Sequence, residues 1–129
     1  MNQTEWERLQ KAVRRENEKP EIALLVDSPW IPGYCGHGII DFMARPDVWL
    51  RAYRKIKSDF VGTIFIPDYW VEFGMATGPS SFGCRIEFFQ DNLPIAHHLF
   101  DSIDDFDPSG LKLPNPKTSG LAPIALNIQ

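Results

Sequence analysis

At 129 residues, 43% hydrophobic and 23% charged, the chain reads as one globular domain, too short for two and too apolar to stay disordered. A net charge of −4 and a pI near 5.3 exclude the basic stripe of a nucleic-acid binder. No apolar run approaches the roughly 18 residues that span a bilayer, and the polar start MNQTEWERLQ is not a signal peptide, so a cytoplasmic protein without membrane contact is expected.

Along the chain, Thr4-x-x-Glu7 has the spacing of a capping box. Trp6, Leu9, Ala12 and Val13 follow at helical spacing, predicting an amphipathic helix to about Glu18 before Pro20. EIALLVD, 21–27, is a compact apolar run of strand length that finishes on Asp27. SPWIPGYCGHG reads as a loop from its prolines and glycines, and a helical region over 39–57 follows. Pro46 breaks that region, because it disfavours α conformation at Arg45 and suits the first turn of a new helix. Trp49, Tyr53 and Ile56 form the inward stripe of the second piece. Lys and Arg residues at 8–19 and 45–57 read as solvated helix faces.

The strand VGTIFI, 61–66, has the pattern of a strand buried on both faces, and Pro67 ends it. Two buried strands joined through a helix predict a parallel pair with a right-handed crossover. Farther on, Cys84, Ile86 and Phe88 alternate with Arg85 and Glu87, as in a half-exposed strand or hairpin arm. Little regular structure is expected over 91–120 beyond a turn at 102–106. A last helix opens after a Thr118 or Ser119 cap and is still running at Gln129. That ending, with two parallel strands whose faces and edges need cover, predicts the N-terminal part of a larger α/β fold.

Several residues can carry chemistry. Asp68 is the first polar group after a buried strand; it is either a turn or cap aspartate, or a site carboxylate. Asp27 ends the other strand, so parallel pairing would set the two carboxylates side by side on one rim, able to share a proton or bind a cation. Trp30, Tyr34, Tyr69 and Trp70 stand in the same two loops, where they either bind a flat ring or cation or pack under a lid. Glu72, four residues past Asp68, can face the same cavity. Cys35-x-His37 supplies two metal ligands where zinc needs three or four. Cys35 and Cys84 are too few for a disulfide framework and are expected as free thiols, with Cys84 a small inward residue. His97 and His98 are assigned to the surface.

The order of elements, the segment IFIPDYWVEFGMATGPSSFGCRIEF and the closing ALNIQ resemble the start of the uroporphyrinogen decarboxylase (URO-D) superfamily, which includes corrinoid-linked methyltransferases. The resemblance runs from about Trp6 to Gln129 and would cover about the first third of such a protein. It implies the incomplete N-terminal portion of a TIM-type (β/α)8 barrel, whose site gathers at the carboxyl ends of the strands. It places Asp68 where the decarboxylases keep the aspartate credited with binding pyrrole NH groups, and makes Asp68 and Asp27 the catalytic candidates. Trp30, Tyr34, Tyr69, Trp70 and Glu72 become candidates for substrate binding. One departure stands out. The decarboxylases carry an Arg-containing motif after the first strand to hold a polycarboxylate, whereas here no Arg or Lys occurs between Pro20 and Ala44. The resemblance therefore implies an enzyme of small-molecule substrates diverged toward corrinoid-linked methyl transfer. The alternatives are an authentic uroporphyrinogen decarboxylase, which needs no cofactor, and a non-catalytic ligand-binding barrel fragment. For the full-length parent it further implies a corrinoid protein as partner, zinc bound through the missing C-terminal part, and a homodimer. This chain alone would carry no cofactor and be inactive.

Overall fold

The computed structural model describes residues 1–26, 29–71 and 73–128. Its elements are α1 (Gln3–Val13), β1 (Ala23–Leu25), α2 (Trp30–Tyr34), α3 (Ile39–Ala44), α4 (Pro46–Asp59), β2 (Ile64–Ile66), α5 (Thr77–Ser81), β3 (Ile86–Glu87), β4 (Ile95–Ala96) and α6 (Ala122–Ile128). Short 3-10 turns cover Ile103–Asp105 and Pro108–Gly110. Among the described residues the strands form two separate two-stranded sheets and no closed barrel.

The parallel pair is present. β1 and β2 run side by side with Ala23 opposite Ile64, Leu24 opposite Phe65 and Leu25 opposite Ile66, although each strand is three residues long and shorter than its apolar run. Their two faces fare differently. Phe65 is buried in the main core and Leu24 packs against that core, whereas Leu25 on the opposite face is 80% exposed. Burial on both faces, expected of the 61–66 strand, holds in β2 at Ile64 and Phe65, whereas β1 leaves Leu25 in solvent, since side chains alternate across a strand and no described residue covers that position.

That covering layer is α3 and α4. Arg45 is extended, at φ −120° and ψ 101°, and Pro46 occupies the first turn of α4, where its missing N–H is no loss. The break falls where the Arg-Pro pair predicts it. Trp49, Tyr53 and Ile56 are buried, and α3 adds Ile39, Phe42 and Met43. The 28–38 stretch differs from its expected loop: Trp30–Tyr34 closes one helical turn and a little more, burying Ile31 and Pro32. Pro32 is no obstacle there, because the first N–H groups of a helix have no intrahelical acceptor to lose.

At the N-terminus the capping box is Asn2-x-x-Glu5, one motif earlier than Thr4-x-x-Glu7. The Asn2 side chain accepts the Glu5 N–H at 2.8 Å, and the Glu5 carboxylate accepts the Asn2 N–H at 2.9 Å. α1 also stops at Val13 rather than near Glu18. Arg15 takes φ 60°, and the Arg15 and Glu16 N–H groups turn back to the Ala12 and Lys11 carbonyls in a Schellman closure. Glycine commonly fills that position; an arginine there gives no sequence signal. None of the apolar stripe of α1 is buried, and Trp6 remains about half exposed.

β3 and β4 form an antiparallel hairpin with Ile86 opposite Ala96, so the alternating segment is indeed a hairpin arm, but a two-residue one from which Phe88 is largely exposed. α6 starts near the predicted place without the predicted cap. The Ser119 hydroxyl accepts the Asn115 N–H instead, and the Leu121 N–H goes to Ser80 Oγ on α5. No described helix is long and apolar enough to cross a membrane.

Candidate functional site

Parallel pairing puts the carboxyl ends of β1 and β2 at one rim. Asp68 follows two residues after β2, and its side chain is only 9% exposed. A carboxylate so buried requires compensation. Lys57, in the last turn of α4, supplies it: its Nζ lies 2.9 Å from Oδ1 and 2.9 Å from Oδ2. The Met1 α-ammonium pairs with Oδ2 as well. Asp68 thus stands in the bend that follows β2, caps none of the described helices, and has its carboxylate drawn toward α4 and α1.

Lys57 reaches farther. The same Nζ is 3.1 Å from Glu5 Oε2 on α1 and sits 5.4 Å from the centre of the Tyr69 ring. Burial pushes the Glu5 carboxyl up, but the Asn2 N–H and the Lys57 ammonium outweigh it and hold the group below its ordinary value. Burial, followed by the Lys57 charge, lowers the Met1 amine. The assignment of Lys57 to a solvated face is therefore overturned, as is that of Arg8. The Arg8 guanidinium pairs with both Glu21 oxygens and donates to the Gly62 carbonyl at 2.7 Å. α1 is fastened by these ion pairs in place of a buried stripe.

The aromatic candidates separate into two groups with different partners. Tyr69 packs on Trp49 and Tyr53, with ring centres 5.9 Å and 5.3 Å away. The Trp70 carbonyl accepts the Trp49 indole N–H at 3.0 Å and the Tyr53 hydroxyl at 2.9 Å, leaving the Trp70 ring 46% exposed. One face of α4, at positions 49, 53 and 57, therefore grips the 68–70 turn through three side chains four residues apart. Trp30 and Tyr34 instead stack on each other at 5.2 Å and lean on Phe60 beyond the end of α4. The Tyr34 hydroxyl donates to Asp59 at 2.9 Å, and the Asp59 carboxylate beside it, with burial second, raises its pKa. Lys55 completes that group, 2.6 Å from Asp59 and over the Tyr34 ring.

Asp27 and Glu72 lie outside the described residues, so their pairing with Asp68 belongs to the sequence reading alone. Cys35 is half-buried, its thiol donates to the Ala52 carbonyl at 3.7 Å, and burial pushes its pKa up, which disfavours the thiolate a metal needs. Cys84 is a free thiol as well. Among the described residues no group of three or more His, Cys, Asp or Glu side chains is arranged to hold a metal, so the donors present do not fit zinc.

Two features escaped the sequence reading. His97 is half-buried in a polar cluster on the hairpin, its Nε2 2.8 Å from Arg85 Nη2 and 2.8 Å from Glu87 Oε2. Arg85 and Glu87 share one strand face, and that i, i+2 spacing was its only available signal. A groove of about 580 Å³ opens beside α5, lined by Phe82, Leu99, Phe100, Leu111 and Leu113; Asp68, Tyr69, Trp70, Trp30 and Tyr34 take no part in it. No family model matches this chain, and no curated protein and no solved structure matches it either.

Proposed function

We propose that this chain is the N-terminal portion of a uroporphyrinogen decarboxylase superfamily enzyme, an incomplete (β/α)8 barrel whose reaction has diverged toward corrinoid-linked methyl transfer. The observation that carries this reading is Asp68, a nearly buried carboxylate just past the carboxyl end of β2 in a parallel pair, where such barrels hold their chemistry. The charge of the neighbourhood supports divergence. No Arg or Lys lies between Pro20 and Ala44, and the ammonium nearest Asp68 on α4 is already engaged by two carboxylates. A polycarboxylate porphyrinogen would find no free guanidinium in that stretch to receive it.

In the branch named, a corrinoid carries the methyl group on a partner protein. The described residues of this chain contribute a fixed carboxylate and a turn of aromatics beside it. They form no zinc site, so no step is assigned to a metal here. A second reading, a non-catalytic ligand-binding barrel fragment, draws on one observation: the charge of Asp68 is already balanced by Lys57 and the Met1 ammonium.

The test uses the full-length parent and its Asp68→Asn variant, assayed for uroporphyrinogen decarboxylation and for methyl transfer from a methylated corrinoid protein to a thiol. Transfer without decarboxylation, with kcat/KM reduced at least about a hundredfold in the variant, is expected. Decarboxylation within about tenfold of an ordinary turnover near 10 per second would restore the decarboxylase. Activity changed less than about threefold in a normally folded variant would return Asp68 to a structural role, and a parent with neither activity would favour the non-catalytic reading.

A further inference from the structure

The row on α4 has a chemical asymmetry. Trp49 and Tyr53 hold a backbone carbonyl, whereas Lys57 alone holds a functional group, the Asp68 carboxylate. Its ammonium has three N–H donors, and the acceptors around it are both Asp68 oxygens and Glu5 Oε2, with the Tyr69 ring face on another side. The three ionic side chains are partly withdrawn from solvent, at 20% exposure for Lys57, 15% for Glu5 and 9% for Asp68. A long lysine stem is costly to immobilise, so its fixed geometry requires that charge and packing together exceed the rotamer entropy. The end of the helix assists, because the last turn of α4 favours a cation.

We propose that Lys57 is the positioning residue of the Asp68 turn: it fixes the direction of the carboxylate and ties that turn to α1 through Glu5. The assignment of a functional consequence rests on the proposed role of Asp68; the positioning itself does not. A structural lysine acting only through its methylene stem would be replaced adequately by methionine and would show no coupling to Asp68.

The experiment is a double-mutant cycle on this chain with Lys57→Met and Asp68→Asn, read as urea unfolding constants. The expected coupling is at least about tenfold between the two substitutions, and coupling below about twofold overturns the proposal. If Lys57→Met does not fold, Lys57→Arg and Lys57→Ala replace it. Arginine should restore most of the stability, and ethylammonium at tens of millimolar should raise the melting temperature of Lys57→Ala where ethanol does not. Equal responses to ethylammonium and ethanol would overturn the proposal. Coupling present together with full activity of Asp68→Asn in the parent would remove the proposed function and leave the positioning role standing.

Discussion

Replacing Tyr53 by phenylalanine tests one bond of the frame that carries Asp68. The ring is 1% exposed and packs at 5.1 Å from Trp49, 5.3 Å from Tyr69 and 6.1 Å from Phe42, contacts that phenylalanine retains. Among the losses is the 2.9 Å bond to the Trp70 carbonyl, and that oxygen keeps the Trp49 indole N–H at 3.0 Å. With one donor remaining on that oxygen, the cost should be at least that of an ordinary hydrogen bond, about 1 kcal/mol, or roughly fivefold in the unfolding constant. Tyr53→Ala removes the ring as well and should cost about 3–5 kcal/mol. Adding Trp49→Phe to Tyr53→Phe strips both donors from the carbonyl, and the pair should cost about 1–2 kcal/mol more than the sum of the singles. Urea unfolding followed by tryptophan fluorescence at low micromolar concentration measures all four variants, provided the m-values agree. Strict additivity, or a Tyr53→Phe cost equal to that of Tyr53→Ala, would refute the reasoning that the two donors share one acceptor.

The Glu5 carboxyl is held below its ordinary value in the folded chain, so its stabilisation is complete above the unfolded value near 4.5 and is lost as pH falls through the folded value. Melting curves of the natural chain and Glu5→Gln should therefore differ at pH 7 and converge on acidification; a gap that widens below about pH 4 would contradict the sign. Gly120 has φ 56°, and a Cβ there would lie 2.5 Å from the Ser80 carbonyl carbon, so Gly120→Ala should cost about 2–5 kcal/mol in strain and overpacking and loosen α6 from α5. Chemical denaturation measures it, and a loss under about 0.5 kcal/mol would mean the segments do not meet. Ile22, Leu25 and Val61 are 64%, 80% and 85% exposed beside the parallel pair, so the chain made alone should self-associate. Leu25→Glu should shift sedimentation toward monomer, and a monomeric natural chain would count against the uncovered face.

The parts of the fold that were legible are those whose cause is local. The Pro46 break and the 49, 53, 56 stripe of α4 follow from one ring closure and one periodicity, both contained in the segment itself. The pairing of β1 with β2 follows from the strand, helix, strand order. Burial of β1 was not legible, because EIALLVD reads the same whether one face or both are covered, and the covering element decides. The start of α1 was ambiguous for a related reason. Asn2-x-x-Glu5 and Thr4-x-x-Glu7 offer the same spacing, and the local sequence cannot choose between them. The chosen box is the one whose glutamate also meets Lys57, a residue 52 positions away.

Half of the candidate site was hidden too, although the partner of Asp68 lies only 11 positions away. Asp68 could be singled out because a carboxylate after an apolar strand must find a partner. Which partner could not be read, since a lysine on an amphipathic helix has the appearance of a solvated charge until the turn it faces is known. Yet the spacing held a usable constraint. Once Trp49 and Tyr53 are placed inward on α4, position 57 falls on the same stripe, and a charge at an inward position is a demand for an opposite charge. Asp68 and Lys57 each pose that demand, and each is the other's answer. For two ionisable groups that burial would penalise separately, pairing is the economical solution. The periodicity of a helix can thus point to an ion pair before any coordinate does, when the charged position is weighed with the apolar stripe rather than with its charged neighbours.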